Sequence, residues 1–278
     1  MAVFTGPVFV PNPVSIVDRY GLFTVATGPL TLPQLARGGG IQYETGTCVL
    51  PNGLEVGCGP ADPVKVMDST PTLIVGTPFA VYADLTCGAV GLGPERARTF
   101  LIERLKAGEQ AVVENIFSTQ AVGQSPGLSN NPDVVTVTAV TTGVTDSIAE
   151  LEEAFYSNYG LTGTIHVPHR LGARLQQGGA LRWDNGRWRT AAGSLVSIGN
   201  YEGLTPAGAA PAAGTLWVYM TGQVTIWRTP DSEIFIPPYE TSINRATNQV
   251  SMVAEREYVI TIDCAVYGTA ATIEGIGG

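Results

Sequence analysis

The chain of 278 residues is long enough to bury one large core or two modest ones, and its 44% hydrophobic content excludes disorder of the whole. Its 24 Asp and Glu outnumber 15 Lys and Arg, giving a net charge of −9 with Lys65 and Lys106 as the only lysines, and no basic run exists, which excludes nucleic-acid binding through clustered cations. Charged residues make up only 14% of the chain, below the usual share of about a quarter, a composition suited to a surface largely covered by neighbours.

Residues 1–40 carry Pro7, Pro11, Pro13, Pro29 and Pro33 and then Gly38, Gly39 and Gly40. Prolines at that density forbid helix and central strand, so the segment reads as an extended arm whose apolar residues, Phe4, Phe9 and Phe23 among them, need a surface to lie on. The start, Met-Ala-Val-Phe-Thr-Gly-Pro, lacks the basic residues and apolar run of a signal peptide. No apolar stretch reaches the ~18 residues of a membrane span, so a soluble, cytoplasmic product with no membrane partner is expected.

Residues 41–93 read as an extended loop. Two β-forming stretches, 41–45 and 78–87, the latter alternating Phe79, Val81, Ala83 and Leu85, enclose a Pro/Gly/Asp-rich segment and are expected to form a long two-stranded projection. Tyr43, Leu54, Lys65, Met67, Phe79 and Tyr82 are its candidates for contact with another subunit. Nothing up to residue 93 reads as a core of its own. Cys48 and Cys58 flank a turn-rich stretch, placed either to pair across it or to stay isolated thiols, and the four cysteines match no zinc spacing.

Gly93-Pro94-Glu95 starts a helix with proline in the first turn and an acid toward the positive dipole end. Leu101, Leu105, Val112 and Ile116, with Ala97 and Gly108, define an apolar face through Ser118. Residues 134–140 alternate as a strand, and Ser147-Ile-Ala-Glu150 reads as a capping box before Ile148, Leu151, Phe155 and Tyr159, with Gly160 as the stop. A short strand at 164–167 is followed by a helix opened by Pro168, and a hairpin turns at Asp184-Asn185-Gly186. Strands at 195–201, 215–219 and 223–229 lead to a long closing strand at 255–267.

No arrangement here makes an active site. His166 and His169 lack acidic or cysteine partners in metal-ligand spacing and read as polar anchors. Gly88, Gly91 and Gly93 fit neither phosphate-loop spacing and read as a joint, GxSxG is absent, and the acid pairs Glu152/Glu153 and Glu255/Glu257 are solvated neighbours in sequence only. No catalytic residue, metal ligand or cofactor site is assigned. Trp217 and Trp227 read as core, whereas Trp183 and Trp188, beside Arg182, Arg187 and Arg189 at a turn, are candidates to face a partner.

The order of parts resembles the tailed-bacteriophage major capsid family, with its Hong Kong 97-type fold shared with encapsulins. Gly163-Thr-Ile-His-Val-Pro-His-Arg-Leu-Gly172 is similar to that family's strand–proline–helix step. Ala254-Glu-Arg-Glu-Tyr-Val-Ile-Thr-Ile-Asp-Cys-Ala-Val-Tyr-Gly268 is similar to its closing strand, and residues 78–88 resemble actinobacteriophage capsid sequences. The resemblance implies an α+β Hong Kong 97-like capsid fold: N-terminal arm 1–40, extended loop 41–93, a peripheral domain of 94–144 and 245–278 with a long spine helix, and an axial domain of 145–244. It implies a structural, non-enzymatic virion protein that self-assembles into pentamers and hexamers of an icosahedral shell around double-stranded DNA without binding it tightly. Separate scaffolding, portal and decoration proteins would be further partners. An encapsulin-like compartment shell, a phage tail or decoration protein and a β-rich hydrolase stand as alternatives. Some relatives crosslink a loop lysine, but no catalytic Glu or partner Asn is matched here to Lys65.

Overall fold

The computed structural model describes residues 20–45, 48, 50, 72–88, 93–138 and 143–273. Phe4, Phe9, Leu54, Cys58, Lys65 and Met67, and the expected strand beyond residue 138, lie outside the described residues. The chain enters through α1 (Leu22–Val25) and β1 (Thr27–Thr31), then β2 (Ile41–Thr45), β3 (Thr72–Gly76), β4 (Phe79–Gly88) and the long helix α2 (Pro94–Thr119). Next come β5 (Val135–Thr136), α3 (Val144–Tyr159), β6 (Thr164–Pro168), α4 (His169–Gln177), β7 (Arg182–Asp184), β8 (Arg187–Arg189) and β9 (Leu195–Gly199). The chain closes with β10 (Thr215–Thr221), β11 (Val224–Arg228), β12 (Ile243–Asn244), β13 (Gln249–Ile262) and β14 (Tyr267–Thr272).

β13 is the spine of one sheet. Along one side it pairs antiparallel with β4 from Gln249–Gly88 to Tyr258–Phe79. Along the other it meets β12, then Phe235 opposite Glu255, then β11, which carries β1 at its far side. Period-two alternation sends Val250, Met252, Ala254, Tyr258 and Ile260 of β13, with Phe79, Val81 and Ala83 of β4, to the face covered by α2. Phe79 and the strand 78–87 therefore belong to this sheet and its core. Residues 41–45, expected to pair with that strand, pair instead with β3, in a separate two-stranded ribbon running Ile41–Gly76 to Thr45–Thr72.

α2 keeps the face expected of it at Ala97, Leu101, Leu105 and Ile116, but Val112 points outward at 42% exposure while Val113 and Phe117 are buried. Steps of four residues carry the stripe from Leu101 through Leu105 to Glu109 and Val113, so it passes through an acid and misses Gly108. Gln120, in the left-handed region at φ 53, ends the helix.

The second sheet runs β5-β14-β10-β6-β9-β8-β7, with α3 and α4 packed on it through Ile148, Leu151, Phe155, Leu171 and Leu175. The capping box is not used: α3 begins after Gly143, and the Ser147 hydroxyl, one turn inside, donates to the Gly143 carbonyl. Gly160 ends α3 at φ 64. The closing strand is two strands, because the chain breaks at residues 263–266 and β14 crosses to pair with β10.

The start of the described chain is not a free arm. Leu22, Val25 and Ala26 are buried in the core under α2, Phe23 stacks on Tyr258, and Leu32 packs against Val259. An extended, proline-spaced segment has no internal core, so burial against its own sheet is what orders it.

Candidate functional site

Two polar networks, neither legible as a motif, bind α2 to everything around it. In the first, Glu109 accepts from Arg228 Nη1 at 2.8 Å, from Arg256 Nη1 at 2.6 Å and from the Tyr258 hydroxyl at 2.6 Å. Arg256, fully buried, also donates to Asp231, which takes Lys106 at 2.5 Å. A hydrogen bond from Lys106, with Arg256 adding its charge against the opposing effect of burial, holds the Asp231 carboxyl below its usual range. Burial first, then Glu109, pushes the Tyr258 phenol up, so it stays a donor. In the second, buried Glu114 accepts from Leu22 N and Asn200 N, each at 2.7 Å, while Ile198 N donates to Tyr20 O. A Cβ on Gly21 would lie 2.1 Å from this carboxylate and one on Gly199 2.3 Å from it, so only glycine admits the approach. The α1 turn, the spine helix and the seven-stranded sheet thus meet on one acid.

The two histidines are not brought together as a metal pair. His166 is buried, with Nδ1 3.3 Å from the Tyr201 hydroxyl and Nε2 2.9 Å from Thr221 Oγ1, and burial lowers its pKa to about 3. His169 is exposed at the start of α4. The cysteine readings need correction: Cys48 is disulfide-bonded to Cys264, neither paired with Cys58 nor isolated. The fold lays the root of the ribbon on the joint between β13 and β14, bringing residues 216 apart in sequence to a Cα separation of 5.3 Å.

Three of the places where the described surface exposes apolar or aromatic side chains bear on the candidate contacts. On the β2–β3 ribbon, Ile41, Tyr43 and Ile74 lie on the more buried face, and the Tyr43 hydroxyl accepts from Ile262 N at 3.2 Å. Burial raises the Tyr43 pKa. The opposite face exposes Leu73 and Val75. The face of the five-stranded sheet turned away from α2 carries, beyond the part covered by Leu32 and Ala36, Tyr82, 66% exposed, and Phe235 beside Asp84, Glu255 and Glu257, with Arg104 and Arg37 paired to the first and last. The β7–β8 hairpin, turning through Asn185 and Gly186 at φ 48 and 81, sets Trp183 edge-to-face against Trp188 at 5.0 Å and against Tyr20 at 5.5 Å. Trp183 is 51% exposed, and Arg182 and Arg187 are exposed on either side of it. Phe79 is therefore buried and Phe23 partly buried against the core, whereas Tyr82 and Trp183 face outward. Trp217 and Trp227 are each half-buried.

No family model matches the sequence, and no curated protein does. Solved structures do. The capsid of the empty GTA particle, computed with C5 symmetry, superposes with a TM-score of 0.62 over 96% of this chain and 95% of that one, at 13% identity. The capsid of Ralstonia phage GP4 gives 0.57 over 99% and 97% at 9% identity. The holo-SrpI encapsulin complex of Synechococcus elongatus gives 0.55 over 99% and 95% at 13% identity. Such identities speak for architecture alone, and over nearly its whole length the chain has the Hong Kong 97-type fold of capsid shells and encapsulins.

Proposed function

We propose that the chain is the major head-shell subunit of a tailed phage, assembling with copies of itself into pentamers and hexamers around double-stranded DNA. The observation that carries this reading is a capsid fold spanning 96% of the chain that leaves Trp183, Tyr82 and Phe235 and the Leu73/Val75 face of its separate two-stranded ribbon exposed. We assign the five-stranded sheet and α2 to the peripheral domain, the seven-stranded sheet with α3 and α4 to the axial domain, and the ribbon to the extended loop. The basic aromatic hairpin at Trp183 and the acidic aromatic face at Tyr82 are unlike surfaces on one chain, as a closing ring of head-to-tail contacts requires.

Electron microscopy of the purified protein tests this: closed shells are expected, and particles of a deletion of residues 54–69 should be absent although that protein stays folded. A protein that remains monomeric at high concentration, or normal shells from the deletion, would refute it. Because an encapsulin shares the fold, the particle contents distinguish the two: packaged DNA in phage-infected cells supports the head reading, and a co-purifying enzyme cargo opposes it.

A further inference from the structure

Cys48, three residues beyond β2, is joined to Cys264 in the joint between β13 and β14, where the backbone turns through φ 65. The ribbon's non-covalent contacts with the body include the Tyr43–Ile262 hydrogen bond, Ile41 on the Leu32–Val259 cluster, and the packing of Gly76 on Val259, Ile260 and Thr261. A two-stranded ribbon is marginal on its own, and among the described residues the cystine is the one covalent bond besides the main chain that joins it to the body. Cys48 is 7% exposed, but Cys264 is half-buried and lines two clefts, of about 520 Å³ beneath the ribbon and about 230 Å³ beside β6. The Asp263 carboxylate lies within 4.8 Å of both sulfurs.

We propose that Cys48 and Cys264 form a thiol–disulfide exchange site that takes a low-molecular-weight disulfide such as oxidised glutathione, and that its closure seats the ribbon on the body. The more accessible Cys264 thiolate attacks one sulfur of the small disulfide, forming a mixed disulfide and expelling one thiolate. The Cys48 thiolate then attacks the Cys264 sulfur, making the Cys48–Cys264 bond and expelling the second. Two protein thiols are oxidised, one small disulfide is reduced to two thiols, and the two protein protons pass to the departing thiolates. Asp263 sets the pace, because a carboxylate beside a thiol disfavours the thiolate that must attack. In reducing surroundings the ribbon is held by non-covalent contacts alone, and in oxidising surroundings it is clasped.

The test uses the full-length, unassembled chain, so its failure is separate from failure of the shell reading. Fully reduced protein is treated with oxidised glutathione, quenched with a maleimide and mapped by mass spectrometry under non-reducing conditions, while amide exchange is followed at β2 and β3. Expected are a transient glutathione adduct on Cys264, a final Cys48–Cys264 peptide with Cys87 still alkylated, and exchange at β2 and β3 slowed about tenfold or more on closure. Asp263→Asn should close several-fold faster, since the amide keeps the acceptor for Cys264 N and loses the charge. Comparing reduced and oxidised wild type needs no variant to fold. A final Cys48–Cys58 bond, thiols that stay alkylatable under excess oxidised glutathione, or closure with unchanged ribbon exchange would overturn the proposal.

Discussion

At the scale of single residues, the molecule's most consequential groups are buried acids and one buried imidazole. Glu114 receives two backbone N–H groups, one on each oxygen. Glu114→Gln keeps the shape but turns an NH2 toward one of those donors, and leaving a buried donor unmet should cost about 1–3 kcal/mol, read from denaturant unfolding. A variant unfolding with the parent would mean that water reaches the site. His166 gives a pH dependence of defined sign. Its folded pKa, about 3, lies below the ordinary value of 6.5, so between these the unfolded chain binds the extra proton and stability falls as pH drops. The loss should approach roughly 1.4 kcal/mol per pH unit well inside that window. His166→Gln should flatten this part of the stability–pH curve between pH 6 and 4, and an unchanged slope would assign the acid sensitivity elsewhere. Asp231, held low by Lys106 and Arg256, adds stability present above the ordinary carboxylate range and lost only in stronger acid.

At the scale of elements, α2 was readable because proline, glycine and a repeated apolar position mark a helix locally. Its buried face was misplaced at Val112, since steps of four residues advance about 40° around a 3.6-residue helix and carry the stripe from Leu105 through Glu109 to Val113 and Phe117, a drift that only the opposing structure selects. The distinction is measurable: Leu105→Ala should cost about 2–5 kcal/mol and Val112→Ala well under 1 kcal/mol. Equal losses would contradict the burial. The segment from Tyr20 to Leu32 behaves likewise. It reads as an arm for a neighbour, yet Leu22, Val25 and Leu32 are interior to their own chain. Removing residues 1–36 should therefore abolish cooperative thermal unfolding of the isolated subunit. A truncated protein that melts like the parent would restore the segment to a purely intersubunit role.

At the scale of the whole molecule, an acidic chain with two lysines offers few cations to release counterions from phosphate. The unassembled subunit should bind duplex DNA weakly and with a shallow salt dependence, and submicromolar binding at physiological salt would show that its arginines converge on one face. Trp183→Ala and Tyr82→Ala remove exposed rings and should leave the melting temperature of the subunit nearly unchanged while lowering the yield of shells. Loss of subunit stability in either would make these rings structural.

The sequence by itself determined the features that rest on neighbouring residues: the α+β order of elements, the Pro168 step from β6 to α4, the Asn185-Gly186 hairpin, the alternation of β4 and the Gly160 stop. Each follows from periodicity or from a backbone conformation that few residues adopt. Tertiary structure alone decided which strand β2 meets, where β4 and β14 are shared out, why an acid sits in the buried stripe of α2, and which cysteine faces Cys48. Those outcomes depend on partners more than 25 and as many as 216 residues away, and the energy that selects them, burial and charge pairing across the fold, leaves no mark within any short window of the chain.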